Sequence, residues 1–542
     1  MPNKLSFILV IFFLNSSFPL LFSQTDPEIK WQFDTHSAAY GNAAAGDIDG
    51  DGKLEIVFGC YRNDGNIYAL NAEDGSLLWK YDATAPGSDQ GCNDVAILIF
   101  DTDKDGQPEV IVPSSCNART FCFNGSDGSL KWVTNTRGSD SPPVIVDFGN
   151  GLEVLHGEFT GWVRSINALT GSTNWDFQVQ NNSWVQTAPT ILDVQNDGEL
   201  DFVVGTWAFN SADNHISAYR GKDRSLLWKK QIDDVIYHGS AIGDLDEDGF
   251  DEVILGSWND TLYCLDSRNG MTKWTYFLGQ YYTPYGPAVI ADMDDDGICE
   301  VVVSNWYTIS VLNSDGSLKW KYNDPDYGYS FRGTAVADIN NDAYPDIIYG
   351  NSEGILAAID GFTRQKIFDL NLREWYGDNR FEIDHAPLIA DFDGDGKKDI
   401  FIAGGYGVIP MENNFGAGFM ISIGPGNGPD WLMFQNDVWR RSNVCHPGTL
   451  VAETDLNHNL SVLPNPASQT VLITPSSFLE VSKTTLEIFD FTGRKLDHES
   501  GEFDFRENQI LWKIAQGIPN GLYILKLSGE GFSSSQKLAI FR

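Results

Sequence analysis

Positive charge is what this chain has least of. Against 75 Asp and Glu stand 36 Lys and Arg, a formal net charge of −39 over 542 residues. Such a polyanion is repelled by a phosphate backbone and by an anionic membrane face, which argues against nucleic acid and lipid surfaces as partners. The acidic residues are dispersed along the chain, so a disordered acidic tail does not account for them. Cysteine is sparse too. There are seven, an odd number without C-x-x-C spacing, which indicates neither zinc nor a dense disulfide framework. Cys60, Cys92 and Cys116 are close enough in sequence for one pair to be oxidised. Long apolar runs are missing after residue 23. The opening stretch, Lys4 followed by "LSFILVIFFL" and a small residue before Gln24, reads as an export signal. No membrane span is expected in the mature protein. Helix-period patterning is nearly absent, and no G-x-S-x-G, H-E-x-x-H or Walker pattern occurs.

What is present repeats. "GDIDGDGKLEIVFG" at 46–59 returns as "FDTDKDGQPEVIVPS", "LDVQNDGELDFVVGT", "GDLDEDGFDEVILGS", "ADMDDDGICEVVVSN", "ADINNDAYPDIIYGN" and "ADFDGDGKKDIFIAG". A shortened copy, "VDFGNGLEVLHG", starts at Val146. The first aspartates are Asp47, Asp101, Asp147, Asp193, Asp244, Asp292, Asp338 and Asp391, spaced 46 to 54 residues apart, a period typical of propellers and other repeat arrays. About 20 residues after the first aspartate of each acidic stretch comes a strand–turn–strand such as "NIYALNAEDGSLLWKYD", a β-hairpin pattern. Each unit therefore holds four short strands, A to D, and eight units predict an all-β, eight-bladed propeller. Trp79, Trp132, Trp175, Trp228, Trp274 and Trp320, with Phe368, fall at one position on strand D; regular recurrence there predicts packing between blades rather than a cofactor box. "IKWQFD" at 29–34 reads as an orphan strand D able to complete the last blade, with "DWLMFQNDVWRRS" as its competitor.

In D-x-D-x-D-G-x-x-[DE] the alternate side chains converge, glycine permits the sharp turn, and the ninth residue closes the shell. Calcium takes six to eight such oxygens, and a hard oxygen set suits it better than zinc or copper. Five copies are intact: Asp47/Asp49/Asp51/Glu55, Asp101/Asp103/Asp105/Glu109, Asp244/Asp246/Asp248/Glu252, Asp292/Asp294/Asp296/Glu300 and Asp391/Asp393/Asp395/Asp399. Asp338/Asn340/Asp342/Asp346 has Ala343 at the glycine position. Asp193/Gln195/Asp197/Asp201 carries one neutral ligand and is expected to bind more weakly, and the third unit is expected to bind none. Calcium at about five to seven sites is the expected cofactor. These loops resemble the FG-GAP repeats of integrin α-chain propellers and related secreted bacterial proteins. The hairpins resemble those of pyrroloquinoline-quinone enzymes and outer-membrane assembly propellers. The resemblance spans about residues 37–441. It implies the propeller and calcium, without fixing an activity. No adjacent Cys–Cys pair of the kind quinone dehydrogenases use is present, so no PQQ is expected.

From Asn459 the texture changes to alternating strands, which predict a small β-sandwich. "NLSVLPNPASQTVLI", "TLEIFDFTGRKL" and "GIPNGLYILKLSGEGFSSSQKLAIFR" also resemble the type IX secretion sorting domain of diderm bacteria, with Leu463-Pro464-Asn465-Pro466, Gly493-Arg494 and Gly521-Leu522-Tyr523 carrying the match. The resemblance implies passage through the outer membrane by that machinery, with release or surface attachment. The expected organisation is a signal peptide at 1–23, the propeller at 24–441, a linker at 442–458 and the sorting domain at 459–542, as a secreted or surface-held monomer.

Opposite the acidic loops, the B–C and D–A connections are long and aromatic. Trp184, Tyr281, Tyr282, Tyr285, Tyr327, Tyr329, Trp375 and Tyr376 are candidates for stacking on sugar rings or gripping a protein. Six residues before the first loop aspartate of units five, seven and eight stand His238, Arg332 and His385. Converging at the channel mouth, they would offer a base and a cation for proton abstraction from an acidic sugar. Three functions follow: a non-catalytic binder of an extracellular glycan or protein; a calcium-dependent polysaccharide-active enzyme, broadly similar in architecture to the rhamnogalacturonan lyases; or an envelope assembly scaffold.

Overall fold

The computed structural model describes residues 27–85, 91–279, 286–325, 328–330, 332–408, 413–426 and 429–445, and then the strands of a C-terminal unit between 460 and 540. Eight four-stranded antiparallel sheets make the first unit. Blade 1 is typical: a three-residue inner strand A, Ala44–Gly46, then B, Glu55–Gly59, C, Asn66–Asn71, and D, Leu77–Asp82. Its apolar A to C strands are buried on both faces because a blade lies between two neighbours, whereas strand D alternates. The last blade is closed by the other end of the chain. Glu28–Thr35 pairs antiparallel with Phe415–Gly424, beyond Leu388–Ala390 and Lys398–Tyr406. "IKWQFD" is thus strand D of blade 8, and Trp31 is its aromatic residue.

The recurring tryptophans pack between blades, as their regularity predicted. Five of the rings, Trp31, Trp79, Trp132, Trp228 and Trp274, cover the C–D turn of the next blade and donate Nε1–H to a carbonyl there, whereas Trp175 Nε1 donates to Glu153 Oε2 of its own blade. Trp79 reaches Gly125 O at 2.6 Å, Trp132 Ala168 O at 2.8 Å, Trp274 Ser314 O at 2.9 Å and Trp31 Ala72 O at 2.9 Å. The turn must carry glycine beneath the ring: Gly128 has φ +67, and a Cβ there would lie 2.6 Å from Trp79.

The competing segment, "DWLMFQNDVWRRS", takes a different place. It winds round the inside of the central channel, bonding to the inner strands of successive blades. Trp431 exchanges backbone bonds with Ile389 of blade 8 at 2.7 and 2.9 Å, and Leu432 O accepts from Ala45 of blade 1. Val438 O, Trp439 O, Arg441 O and Ser442 O accept from Ile145, Ile191, Ile242 and Ile290 of blades 3 to 6. Inner strands have free edges, and this segment satisfies them. Arg440 is fully buried at its centre and donates to Pro143 O, Ile97 O and Phe434 O. Cys445 is bonded to Cys299 of blade 6, and Cys92 to Cys116. Packed chain therefore runs through Cys445, three residues past Ser442, where the linker was expected to begin.

The C-terminal unit has a sheet of Leu460–Leu463, Thr470–Pro475, Gln509–Ile514 and Gly501–Arg506, and one of Thr485–Asp490, Gly521–Gly529 and Phe532–Ile540. Val471, Ile510 and Trp512 from the first and Ile488, Leu525 and Ile540 from the second share one buried cluster. No helix among the described residues is long and apolar enough to cross a membrane.

Candidate metal loops and axial pocket

At one end of each inner strand lie the acidic loops. Backbone N–H groups organise them in a repeated way. The first aspartate accepts from the residue five ahead, as Gly52 N to Asp47 Oδ2 at 3.1 Å and Gly297 N to Asp292 Oδ2 at 2.9 Å. The third accepts from the residue two ahead, as Ile298 N to Asp296 Oδ1 at 2.8 Å. The closing carboxylate accepts from the residue after the first aspartate: Ile48 N to Glu55 Oε2 at 2.8 Å, Leu245 N to Glu252 Oε2 at 2.8 Å, Phe392 N to Asp399 Oδ2 at 3.1 Å. These donors relieve part of the repulsion and leave the remaining oxygens facing inward.

Five groups have ligand atoms within 4.8 Å of one another: Asp47/Asp49/Glu55, Asp101/Asp103/Glu109, Asp244/Asp246/Asp248, Asp292/Asp294/Glu300 and Asp391/Asp393/Asp399. Each could hold a metal ion. Asp294 Oδ1 and Asp391 Oδ1 are buried without a hydrogen-bond partner, as expected of oxygens aimed at a cation, and the all-oxygen donor set fits a hard divalent ion. Asp51, Asp105, Asp296 and Asp395 stand outside these groups, as does Glu252. The loops of blades 4 and 7 (Asp193, Asp197, Asp201; Asp338, Asn340, Asp342, Asp346) keep the backbone pattern. They form no such group among the described residues. Blade 3 forms none either; Asp147 is satisfied by Gly149 N and Gly151 N.

A second source of positive charge escaped the sequence reading. The residue before the blade tryptophan is lysine in four blades, and its ammonium reaches into the acidic loop of its own blade. Lys131 lies 2.6 Å from Asp103 and Glu109, Lys273 2.7 and 2.5 Å from Asp246 and Glu252, and Lys319 2.5 and 2.8 Å from Asp294 and Glu300. Lys30 pairs with Asp393. The signal was the dipeptide Lys-Trp at 30, 131, 273 and 319. Blades 1 and 7 have Leu78 and Ile367 there, and among the described residues no Lys or Arg pairs with their loop carboxylates. Burial first, then the neighbouring loop charges, push Glu55 up to about 7; burial, with Asp360 and Asp342 adding, pushes Asp346 up to about 8.

At the other end of the inner strands is a cavity of about 500 Å³, lined by Tyr40, Tyr61, Arg62, Asp94, Asp140, Tyr237, Arg332 and Asp384 among others. Five of these come from one repeat position, seven residues before the first loop aspartate: Tyr40, Asp94, Asp140, Tyr237 and Asp384. Gln186 holds that position in blade 4 and donates to Asp140 Oδ2 at 3.0 Å. Arg332 Nε lies 3.9 Å from Asp384 Oδ2. Burial, with the charge of Asp140 adding and Arg332 and Arg62 opposing, pushes Asp94 up to about 7. Burial pushes Asp384 up to about 7 as well, Arg332 opposing and Glu382 adding.

Of the three residues expected at the channel mouth, only Arg332 lines this cavity. His238 and His385 are buried elsewhere. His385 Nε2 accepts from Ala43 N at 2.7 Å, and the His238 ring lies 6.3 Å from Phe434 of the axial segment. Burial drives His385 down to about 3 and His238 well below its ordinary range, and neither lines the cavity. Their neighbours Tyr237 and Asp384 are the ones that face the cavity.

The aromatic candidates divide. Trp184 sits in a run of half-exposed rings: Phe159 at 5.1 Å, Trp207 at 5.9 Å, and beyond it Trp258 at 4.7 Å and Tyr237 at 5.4 Å from Trp207. Phe159 and Tyr237 also line the cavity, and Phe209, 64% exposed, caps Trp184. Tyr329 packs against Trp306 instead. Tyr376 is a packing residue, stacked with Phe415 at 5.1 Å, and Trp375 is exposed beside Gln32. Tyr281, Tyr282, Tyr285 and Tyr327 lie outside the described residues.

Three segments are similar to known families. Residues 47–112 match the FG-GAP-like repeat, 210–284 the lambda-carrageenase beta-propeller domain, and 461–541 the secretion system C-terminal sorting domain. No curated protein sequence matches the chain. Among solved structures, a europium-containing methanol dehydrogenase is 12% identical with a TM-score of 0.52, over 73% of this chain and 93% of that one. Sqt1 of Saccharomyces cerevisiae is 12% identical with a TM-score of 0.52, over 72% and 98%. At these identities the likeness is one of fold. The chain carries FG-GAP-like repeats in an eight-bladed propeller, and its sorting domain marks it for the type IX machinery and for the outside of a diderm bacterial cell.

Proposed function

We propose that this secreted FG-GAP-repeat propeller is a calcium-stabilised, non-catalytic glycan-binding protein of the outer cell surface, taking its ligand in the axial pocket. The observation that carries this reading is the run of rings from Trp258 through Trp207 and Trp184 to Phe159, which ends at a polar cavity. Aromatic faces beside hydrogen-bonding groups are what sugar rings require: stacking for the C–H face, donors and acceptors for the hydroxyls. The acidic loops support the calcium half of the proposal through their oxygen donor sets, and export delivers the protein to a calcium-rich medium. A glycan array screened in calcium tests it. Retention on at least one glycan is expected, reduced more than about tenfold by Trp207→Ala with an unchanged melting temperature. No retention anywhere contradicts it.

A polysaccharide-active enzyme is the second reading. It is favoured by the likeness of residues 210–284 to a lambda-carrageenase propeller domain and by Asp94 and Asp384, which hold protons near neutral pH beside Arg332. A carboxyl poised there can act as a general acid. Release of new reducing ends from a bound polysaccharide, abolished by Asp94→Asn, would replace the binder with the enzyme. An assembly scaffold inside the envelope fits poorly with a sorting domain.

A further inference from the structure

The charge and hydrogen-bond balance of the axial pocket restricts which glycan it accepts, given that it accepts one. Three carboxyl side chains, Asp94, Asp140 and Asp384, face two guanidiniums, Arg62 and Arg332. Arg332 Nε lies 3.9 Å from Asp384 and Arg62 lies 4.3 Å over the Tyr61 ring, though the Nε atoms of both make no hydrogen bond. The open acceptors outnumber them. Asp94 Oδ1, Asp384 Oδ1 and Gln186 Oε1 are buried without a hydrogen-bond partner, and Asp94 and Gln186 are 9% and 3% exposed. A buried acceptor left unmade costs on the order of 1–3 kcal/mol, so these oxygens call for donors from outside. We propose that the axial pocket selects a non-anionic sugar whose hydroxyl or ammonium groups donate to Asp94, Gln186 and Asp384, and that it rejects uronates and sulfated sugars.

A uronate or sulfate brings acceptors to a site already rich in them. It also meets the field of a chain with net charge −39. A neutral sugar brings one donor per hydroxyl. An amino sugar brings three on one ammonium, and its charge favours ionisation of the buried carboxyls. Tyr40 and Tyr61, with ring centres 5.6 Å apart, supply a stacking face. A cavity of about 500 Å³ is within the ordinary size of a small-ligand pocket.

The test is calorimetric titration of the full-length protein in calcium with four probes: cellohexaose, a chitosan hexamer, an oligogalacturonate hexamer and a λ-carrageenan oligosaccharide. Binding of the first or second, at least tenfold tighter than either anionic probe and weakened tenfold or more by Asp94→Ala, supports the inference. The cellohexaose-to-chitosan ratio tells hydroxyl donors from an ammonium. Should Asp94→Ala fold poorly, Asp384→Asn, which preserves side-chain shape, gives the same readout. Anionic probes binding as well as the others overturn the inference and leave the glycan-binding proposal standing. Absence of binding by all four, with retention on a wider array, overturns it too; absence on the array removes the premise itself.

Discussion

The two ends of the inner strands carry carboxylates under different rules. At the loop end, aspartates recur at one register in blade after blade, each met by backbone N–H groups and, in four blades, by a lysine from the same blade. At the axial end, a single register holds tyrosine, aspartate and glutamine in different blades. There Asp94 and Asp384 keep buried oxygens without partners. A position that every blade repeats serves the wheel as a whole. A position that varies from blade to blade builds something one blade cannot, a single asymmetric pocket on the axis. The contrast explains how one scaffold hosts many functions: the loop end conserves the fold, and the axial end is open to specialisation.

The largest effect is expected on the axis itself. Arg440→Ala removes donors from three buried carbonyls and leaves a cavity where the winding segment crosses the channel. A loss of about 3–5 kcal/mol is expected in denaturant titration, with only partial recovery in Arg440→Lys. A loss below about 1 kcal/mol would mean that the segment decorates the channel rather than holding it.

A smaller effect, group for group, separates the two ends by pH. Asp94 and Asp384 have folded-state pKa values raised to about 7. The folded state therefore holds protons that the unfolded chain releases near pH 4. Their contribution to stability is complete below about pH 4 and is lost as pH rises toward 7. With calcium saturating, so that the loop carboxylates stay ionised, stability should fall by about 2.5 kcal/mol for each of the two groups between pH 5 and 8. The fall should flatten in the Asp94→Asn, Asp384→Asn double variant, with Asp140, Glu382, Arg62 and Arg332 as the remaining charged neighbours. An unchanged slope in the double variant would place the titration elsewhere.

The smallest effect lies within the loop end. Lys319→Met deletes the ammonium beside Asp294 and Glu300, leaving that loop more dependent on a metal ion. The difference in stability between calcium and chelator should widen by about 1 kcal/mol, the scale of a partly exposed ion pair. No widening would show that the lysine and the metal do not share a role.

Much of the fold was legible because period and pattern agree. Eight loop aspartates, the hairpins between them and the regular tryptophans lead to eight blades, and an orphan "IKWQFD" leads to the closing strand. The converging carboxylates of five loops were legible for the same reason. The axial site was not. Asp94, Asp140 and Asp384 precede strands of three or four residues, too short for alternation to reveal which side chain faces the channel, so a reading one residue out of step selects His238 and His385. The winding segment at 431–443 was hidden because its pairing partners are spread over six blades, and no local pattern records such contacts. The loop lysines could have been found, since Lys-Trp recurs at matching positions.

The comparison rests on cations holding the loop end together, and calcium content with thermal melting tests that most directly. Purified protein dialysed against calcium should carry about five ions per chain, one for each converging carboxylate group. Removing them with EGTA should lower the melting temperature by more than about 10 °C, since each site at a hundredfold excess over its dissociation constant contributes about 2.7 kcal/mol. Protein that carries no calcium and melts at the same temperature with or without EGTA would contradict the account.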